Sequence, residues 1–253
     1  MFGTVGGITE FRAAMFANRG FTAFALAYVG LGDLPKTMAE LDCSYFKEAV
    51  EWFCSCPFTS KDGIGVCGVS YGGQLALLMS LICPQVKAVV SINGPPCMVD
   101  LEAVLAESHG DRTIFSSLYA ATYNLKSEML FSTWNTDVKI LYIVGEDDQA
   151  VHPRAAKVFQ DAYPTNKQHN LTVIRYPGTG HMIEPPFLPH CRESFNTMTA
   201  IKSERTKHNS GSFFIWGGDT EQHAQAQEDS WNRVLTFFRS VLSKGKTTFE
   251  SHL

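Results

Sequence analysis

Four short, mostly apolar runs rich in β-branched residues limit the folds open to this chain more than any other feature. They are Gly65–Val69, Val86–Ile92, Val138–Val144 and Leu171–Tyr176. A strand with no polar alternation is buried on both faces, as parallel strands are when helices cover them. Helical patterning separates the runs. Lys36–Phe53 carries a stripe of Met38, Leu41, Phe46, Val50 and Phe53, with Pro57 past its end, and Gln74–Ile82 is stopped by Pro84. Asp229–Leu242 places Trp231, Val234, Leu235, Phe238 and Leu242 on one face. Strand and helix in turn predict an α/β fold with a mostly parallel central sheet and helices on both faces. A fifth run, Phe21–Ala27, reads as a buried strand ahead of the others.

Gly68-Val69-Ser70-Tyr71-Gly72 lies between an expected strand and an expected helix. In that context G-x-S-x-G reads as a nucleophile elbow, a sharp turn that exposes the serine hydroxyl at the carboxyl end of the sheet. A serine hydroxyl is a poor nucleophile alone and needs a base, itself held by an acid. In α/β-hydrolases these follow in the order Ser, Asp/Glu, His. The fourth of these five runs ends in Gly145-Glu146-Asp147-Asp148, and Pro177-Gly178-Thr179-Gly180-His181 follows the last. Both stretches are loops at carboxyl ends of strands, where ligands bind in open α/β sheets. His181 alone among eight histidines follows a core strand in a Gly-rich loop. It is the expected base; His152, His190 and His223 are read as structural. The spacing G-x-x-D favours Asp148 as the acid over Asp147, with Glu146 third. The Tyr71 N–H, at the start of the helix, is one expected oxyanion donor. Gly3-Thr4-Val5-Gly6-Gly7 is the candidate loop for the other, through Gly6 or Gly7, because glycine lets backbone N–H groups approach a site.

The composition excludes several classes. A formal charge of −4 calls for neither nucleic acid nor an anionic membrane. No apolar run reaches the roughly 18 residues of a membrane span, and the N-terminus has no basic or hydrophobic region of a signal peptide. Seven cysteines, an odd number, predict reduced thiols. Cys54-Ser55-Cys56 has no second pair at zinc spacing and is read as helix-end thiols. His181-Met182-Ile183-Glu184 lacks the second histidine of a zinc site, and no dinucleotide or phosphate-loop motif is present. No cofactor and no metal are expected. The motifs use residues 1–253 as a single catalytic domain, with 95–136 as a cap or insert, 201–212 as a polar surface loop and 244–253 as a tail.

The elbow, Phe24-Ala25-Leu26-Ala27-Tyr28, Asp33-Leu34-Pro35-Lys36-Thr37-Met38, Ile92-Asn93-Gly94, Val144–Asp148, Trp216-Gly217-Gly218 and, most specifically, His181-Met182-Ile183-Glu184-Pro185-Pro186 carry a resemblance. The chain resembles the type-I acyl-CoA thioesterase and bile acid-CoA:amino acid N-acyltransferase family, in its C-terminal α/β-hydrolase domain. The resemblance implies a triad of Ser70, Asp148 and His181 and an acyl-CoA substrate, medium- to long-chain in fatty acid metabolism. Three features depart from the family. Members carry a β-sandwich domain and first strands ahead of this region, whereas this chain starts at the oxyanion loop. The segment after Pro96 diverges and is shorter. Ser70 stands where amino-acid-conjugating members have cysteine, which favours hydrolysis over transfer to glycine or taurine.

The expected activity is therefore acyl-CoA thioester hydrolysis through a serine acyl-enzyme. The rivals are N-acyl transfer to an amino acid, a generic carboxylesterase, and a truncated, inactive chain that acts only by binding. The last residues, Ser251-His252-Leu253, resemble a peroxisomal targeting tripeptide read by an import receptor, so the expected location is peroxisomal, otherwise cytosolic.

Overall fold

The sheet is built from the four apolar runs. In the computed structural model, which describes residues 1, 3–4, 6–100, 115–196 and 212–242, they form β1 (Ile64–Val69), β2 (Val86–Ile92), β3 (Lys139–Gly145) and β4 (Leu171–Tyr176). The order is β1-β2-β3-β4, every pair parallel. Two further strands, β5 (Glu193–Asn196) and β6 (Ser212–Ile215), pair antiparallel in a separate ribbon.

Successive strand residues point to opposite faces, and here both faces are covered. On one side Val66, Val89, Ile140, Tyr142 and Val144 pack under α2 (Cys43–Ser55), α3 (Tyr71–Ile82) and α5 (Arg154–Ala162), meeting Phe46, Leu75 and Phe159. On the other, Val69, Ala88, Val90, Leu141 and Ile143 meet Val234 and Phe238 of α6 (Thr220–Leu242) and Phe16 of α1 (Glu10–Ala17). The predicted α/β fold with helices on both faces is the one observed.

Phe21–Ala27 corrects the sequence reading: it forms no strand. Its aromatic residues are drawn to different partners. Phe21 turns onto Phe16 and Phe238, and Phe24, 44% exposed, lies against Trp52 and Phe53 of α2. The outer edge of β1 meets Met1 instead, whose amine donates to the Cys67 carbonyl (2.6 Å) and whose carbonyl accepts from Val69 N–H (3.3 Å).

Helix limits also shift. α2 begins at Cys43, not Lys36, because Asp42 takes the Ser44 N–H at 2.8 Å and caps it. A single 3₁₀ turn, Met38–Glu40, precedes it. α6 starts nine residues before the expected Asp229, since its first turns are mostly polar and give no apolar stripe.

Within the expected cap, 95–136, residues 101–114 lie outside the described set. α4 (Phe115–Tyr123) belongs to the remainder, and Cys97 bridges to Leu130. Most of the expected polar loop 201–212, the tail 244–253 and the tripeptide Ser251, His252, Leu253 are also outside it. All seven cysteines are free thiols. Among the described residues no helix is long and apolar enough to cross a membrane, and no cluster of His, Cys, Asp and Glu is placed to hold a metal ion.

Candidate active site

Ser70 occupies the turn between β1 and α3 with φ 58° and ψ −128°, a strained conformation for a non-glycine residue. Its N–H is held by the Ile92 carbonyl (2.8 Å), and its own carbonyl receives the N–H groups of Gly73 (2.8 Å) and Gln74 (3.2 Å). The helix starts immediately afterwards, so the Tyr71 N–H has no acceptor within it. Strand and helix approach so closely that a Cβ on Gly68 would lie 2.0 Å from the Gly72 carbonyl oxygen. Burial pushes the Tyr71 phenol up to about 12, so it stays protonated.

The loops after β3 and β4 bring two further predicted residues together. Asp148 Oδ2 and His181 Nδ1 are 2.7 Å apart, and both side chains are buried to 99% or more. The other oxygen, Oδ1, accepts the N–H groups of Ala150 (2.7 Å) and Val151 (2.9 Å), which fixes the carboxylate plane. Asp147 turns away: its Oδ2 takes the Gly218 N–H at 2.7 Å. Glu146 faces Arg175 at 3.8 Å. Of the three acidic candidates, only Asp148 meets the histidine.

The glycine loop holds its two expected donors, Gly6 and Gly7, differently. The Gly7 N–H is already donated to the Val29 carbonyl at 2.8 Å, which removes it as an oxyanion donor, and Gly6 packs over Gly30. Gly3 is the residue against Ser70: a Cβ there would lie 3.3 Å from Ser70 Cβ and 3.5 Å from Oγ. Buried Tyr28 donates its hydroxyl to the Gly3 carbonyl at 2.5 Å. In a trans peptide the carbonyl and the following N–H point in opposite directions. With the Gly3 carbonyl turned to Tyr28, the Thr4 N–H faces the other way, and Thr4 lines the cleft that holds Ser70.

Several residues that sequence reasoning passed over hold the histidine loop. Asn93, at φ 49°, donates from Nδ2 to the carbonyls of Gly180 (3.2 Å) and His181 (2.7 Å) and accepts the Gly145 N–H at Oδ1 (2.8 Å). It thereby ties the end of β2 to both loops. The Trp216 carbonyl accepts the His181 N–H (2.8 Å), and the two rings stack at 5.3 Å. Arg12 of α1 donates from Nε to Glu184 at 2.7 Å and makes a second bond from the same guanidinium. The signal for Asn93 was an asparagine before glycine at a strand end, a type that tolerates positive φ.

A narrow cleft opens beside Ser70, lined by Thr4, Tyr71, Gln74, Pro95, Val99, Leu118 and Val151. Its walls are largely apolar. His152, at one end of the acid loop, is sandwiched by Tyr119 and Tyr123 and held below its ordinary value by burial and by Arg154. Arg12 is buried and bound to Glu184. Arg154 is exposed and bonded to the Tyr123 carbonyl.

Comparison with known proteins bears on this arrangement. Residues 41–244 match the family described as BAAT / Acyl-CoA thioester hydrolase C terminal. The chain is 34% identical over 258 residues to acyl-coenzyme A amino acid N-acyltransferase 2 of Rattus norvegicus, covering 96% of this chain and 59% of that protein. It is 34% identical over 272 residues to acyl-coenzyme A thioesterase 1 of Homo sapiens, covering 99% and 61%. The chain thus spans about three fifths of the length of these curated relatives. A solved dienelactone hydrolase-like promiscuous phosphotriesterase from metagenomic libraries superimposes with a TM-score of 0.54 at 14% identity, over 95% of this chain and 84% of that one. This likeness shows the α/β-hydrolase fold.

Proposed function

From its membership of the BAAT / acyl-CoA thioester hydrolase C-terminal family, to which this chain belongs, we propose that it hydrolyses acyl-CoA thioesters through a Ser70–His181–Asp148 relay. The observation that carries the reading is the buried 2.7 Å contact between Asp148 and His181, with Ser70 on a strained elbow at the carboxyl end of the adjoining sheet.

His181 Nε2 takes the proton of Ser70 Oγ as the oxygen attacks the thioester carbonyl. The Tyr71 and Thr4 N–H groups receive the developing oxyanion. The carbon–sulfur bond then breaks, and His181 returns the proton to the departing CoA thiolate. Water attacks the resulting oxyester, His181 takes its proton and passes it to Ser70 Oγ as the ester bond breaks, giving a free acid and regenerated Ser70. Asp148 keeps the imidazole in the tautomer with Nδ1 protonated and stabilises its charged form. The apolar walls formed by Pro95, Val99, Leu118 and Val151 suit a hydrocarbon acyl group.

Transfer of the acyl group to an amino acid is the second reading, because the N-acyltransferase and the thioesterase are equally similar to this chain. Ser70 favours hydrolysis: an oxyester is less reactive toward amines than a thioester. A mass-resolved assay of acyl-CoA thioesters, with and without glycine or taurine, tests both readings. Free acid and CoA in each case, lost in Ser70→Ala, is the expected result. An N-acyl amino acid as the main product would overturn the hydrolase assignment.

A further inference from the structure

We infer that His223, on the first turns of α6, is a positioning residue that brackets His181 from both sides and sets where its imidazole sits. His223 is completely buried. Its Nδ1 accepts the N–H of Gly180 at 3.2 Å, and its Nε2 lies 2.9 Å from the carbonyl oxygen of Met182. One ring therefore grips the residues immediately before and after His181. The chemistry of the two contacts fixes its state. A backbone N–H can only donate, so Nδ1 must carry a lone pair; a carbonyl can only accept, so Nε2 must carry the proton. His223 is a neutral imidazole in one tautomer.

Its own position is over-determined. His190 stacks on it at 4.2 Å, with Nε2 3.0 Å from the Gly217 carbonyl oxygen, and the His223 N–H is bonded to Asp219 at the head of the helix. Gly180 also packs closely against Gly217, since a Cβ there would lie 2.3 Å from the Gly217 oxygen. Asn93 holds the carbonyls of Gly180 and His181; His223 holds the complementary Gly180 N–H and the Met182 carbonyl. Without His223 the Thr179–Gly180 and Met182–Ile183 peptides each lose a hydrogen bond, which loosens the segment that carries His181 at both of its ends. Displacement of a catalytic group by about 1 Å costs on the order of 100-fold in rate.

The inference rests on the hydrolase reading for its kinetic assay, and the test separates the two. In the full chain, His223→Phe keeps an aromatic ring for His190 to stack on and removes both hydrogen bonds. The expected result is a fall in kcat of about 10- to 100-fold with KM nearly unchanged. The reaction of Ser70 with a fluorophosphonate should slow in parallel, and the NMR proton on His181 Nδ1, bonded to Asp148, should move. His223→Asn, whose side-chain oxygen can take the Gly180 N–H, should recover part of the rate. Should the phenylalanine chain not fold, His223→Leu, which also removes both hydrogen bonds, replaces it with the same criteria. Parental kcat, labelling rate and proton resonance in the folded variant would overturn the inference. So would a loss confined to KM or to thermal stability. If the parent chain hydrolyses no acyl-CoA, the hydrolase reading fails, and the labelling rate and proton resonance still decide the role of His223.

Discussion

Asp148 and His181, 33 positions apart in sequence, meet at 2.7 Å in a setting closed to solvent, and the second carboxylate oxygen of Asp148 is saturated by two backbone N–H groups. The carboxylate can serve the imidazole in one orientation only. Asp148→Asn should preserve the fold and lower kcat about 10⁴-fold, because an amide facing Nδ1 favours the wrong tautomer. Asp147→Asn should cost far less, since Asp147 bonds Gly218 and not the histidine. Steady-state hydrolysis of an acyl-CoA by the two variants compares them directly.

Tyr28→Phe removes one oxygen atom and leaves the Gly3 carbonyl without its hydroxyl donor. The Gly3–Thr4 peptide can then rotate, and the Thr4 N–H leaves the oxyanion position. Loss of one such donor costs about 3 kcal/mol of transition-state stabilisation. We expect kcat to fall up to about 100-fold with KM little changed. A drop in kcat of no more than about twofold would show that the Thr4 N–H is not the donor.

Asn93→Ala should destabilise the chain and disarm it together. It strips partners from the buried Gly145 N–H and the Gly180 and His181 carbonyls. Each unpaired buried group costs about 1–3 kcal/mol. Urea unfolding should show a loss of at least about 3 kcal/mol. Asn93→Gly relieves the positive φ but not the missing bonds, so it should recover only part of that loss.

Much of this arrangement was legible in the sequence, and the limits have physical causes. The parallel strands, the elbow and the choice of Asp148 follow from apolar runs and from loops at their carboxyl ends, signals carried locally in the chain. Phe21–Ala27 has the same apolar content as a core strand, but a strand needs an edge to pair with, and the edge of β1 meets Met1 instead. Gly6 and Gly7 look equivalent to Gly3 as letters; only the folded chain shows that Gly7 spends its N–H on Val29. Tyr28, Asn93 and His223 act through partners 25 to 88 positions away, so no local pattern marks Tyr28 or His223, and Asn93 is marked only by its place before a glycine at a strand end.

Arg12 and Glu184, 172 positions apart, form a nearly buried pair that fastens α1 to the histidine loop. Removing one partner strands a charge. Arg12→Met alone should cost about 3–5 kcal/mol. The double variant Arg12→Met with Glu184→Leu should recover most of that stability, since a well-packed apolar pair can replace a buried ion pair. A double-mutant cycle of urea midpoints measures the coupling. Additive losses would mean that the two side chains do not act as a pair.

His223 also predicts how stability depends on pH. Burial, and then the neighbouring His190, hold it below its ordinary value of 6.5. The unfolded chain therefore binds a proton at this residue at a pH where the folded chain does not. Where the unfolded state binds more protons, stability rises with pH. The contribution of His223 is thus fully present above about pH 6.5 and is lost as the pH falls toward the lower, folded value. Protonation would also set an N–H on Nδ1 against the Gly180 N–H, so acid should loosen the loop that carries His181 as it lowers global stability. His152, also held below its ordinary value, adds a smaller effect of the same sign because it is partly exposed. Urea midpoints measured between about pH 7.5 and pH 5.5 should fall more steeply for the parent chain than for His223→Asn. Equal slopes would mean that the ring is not kept neutral by its buried site.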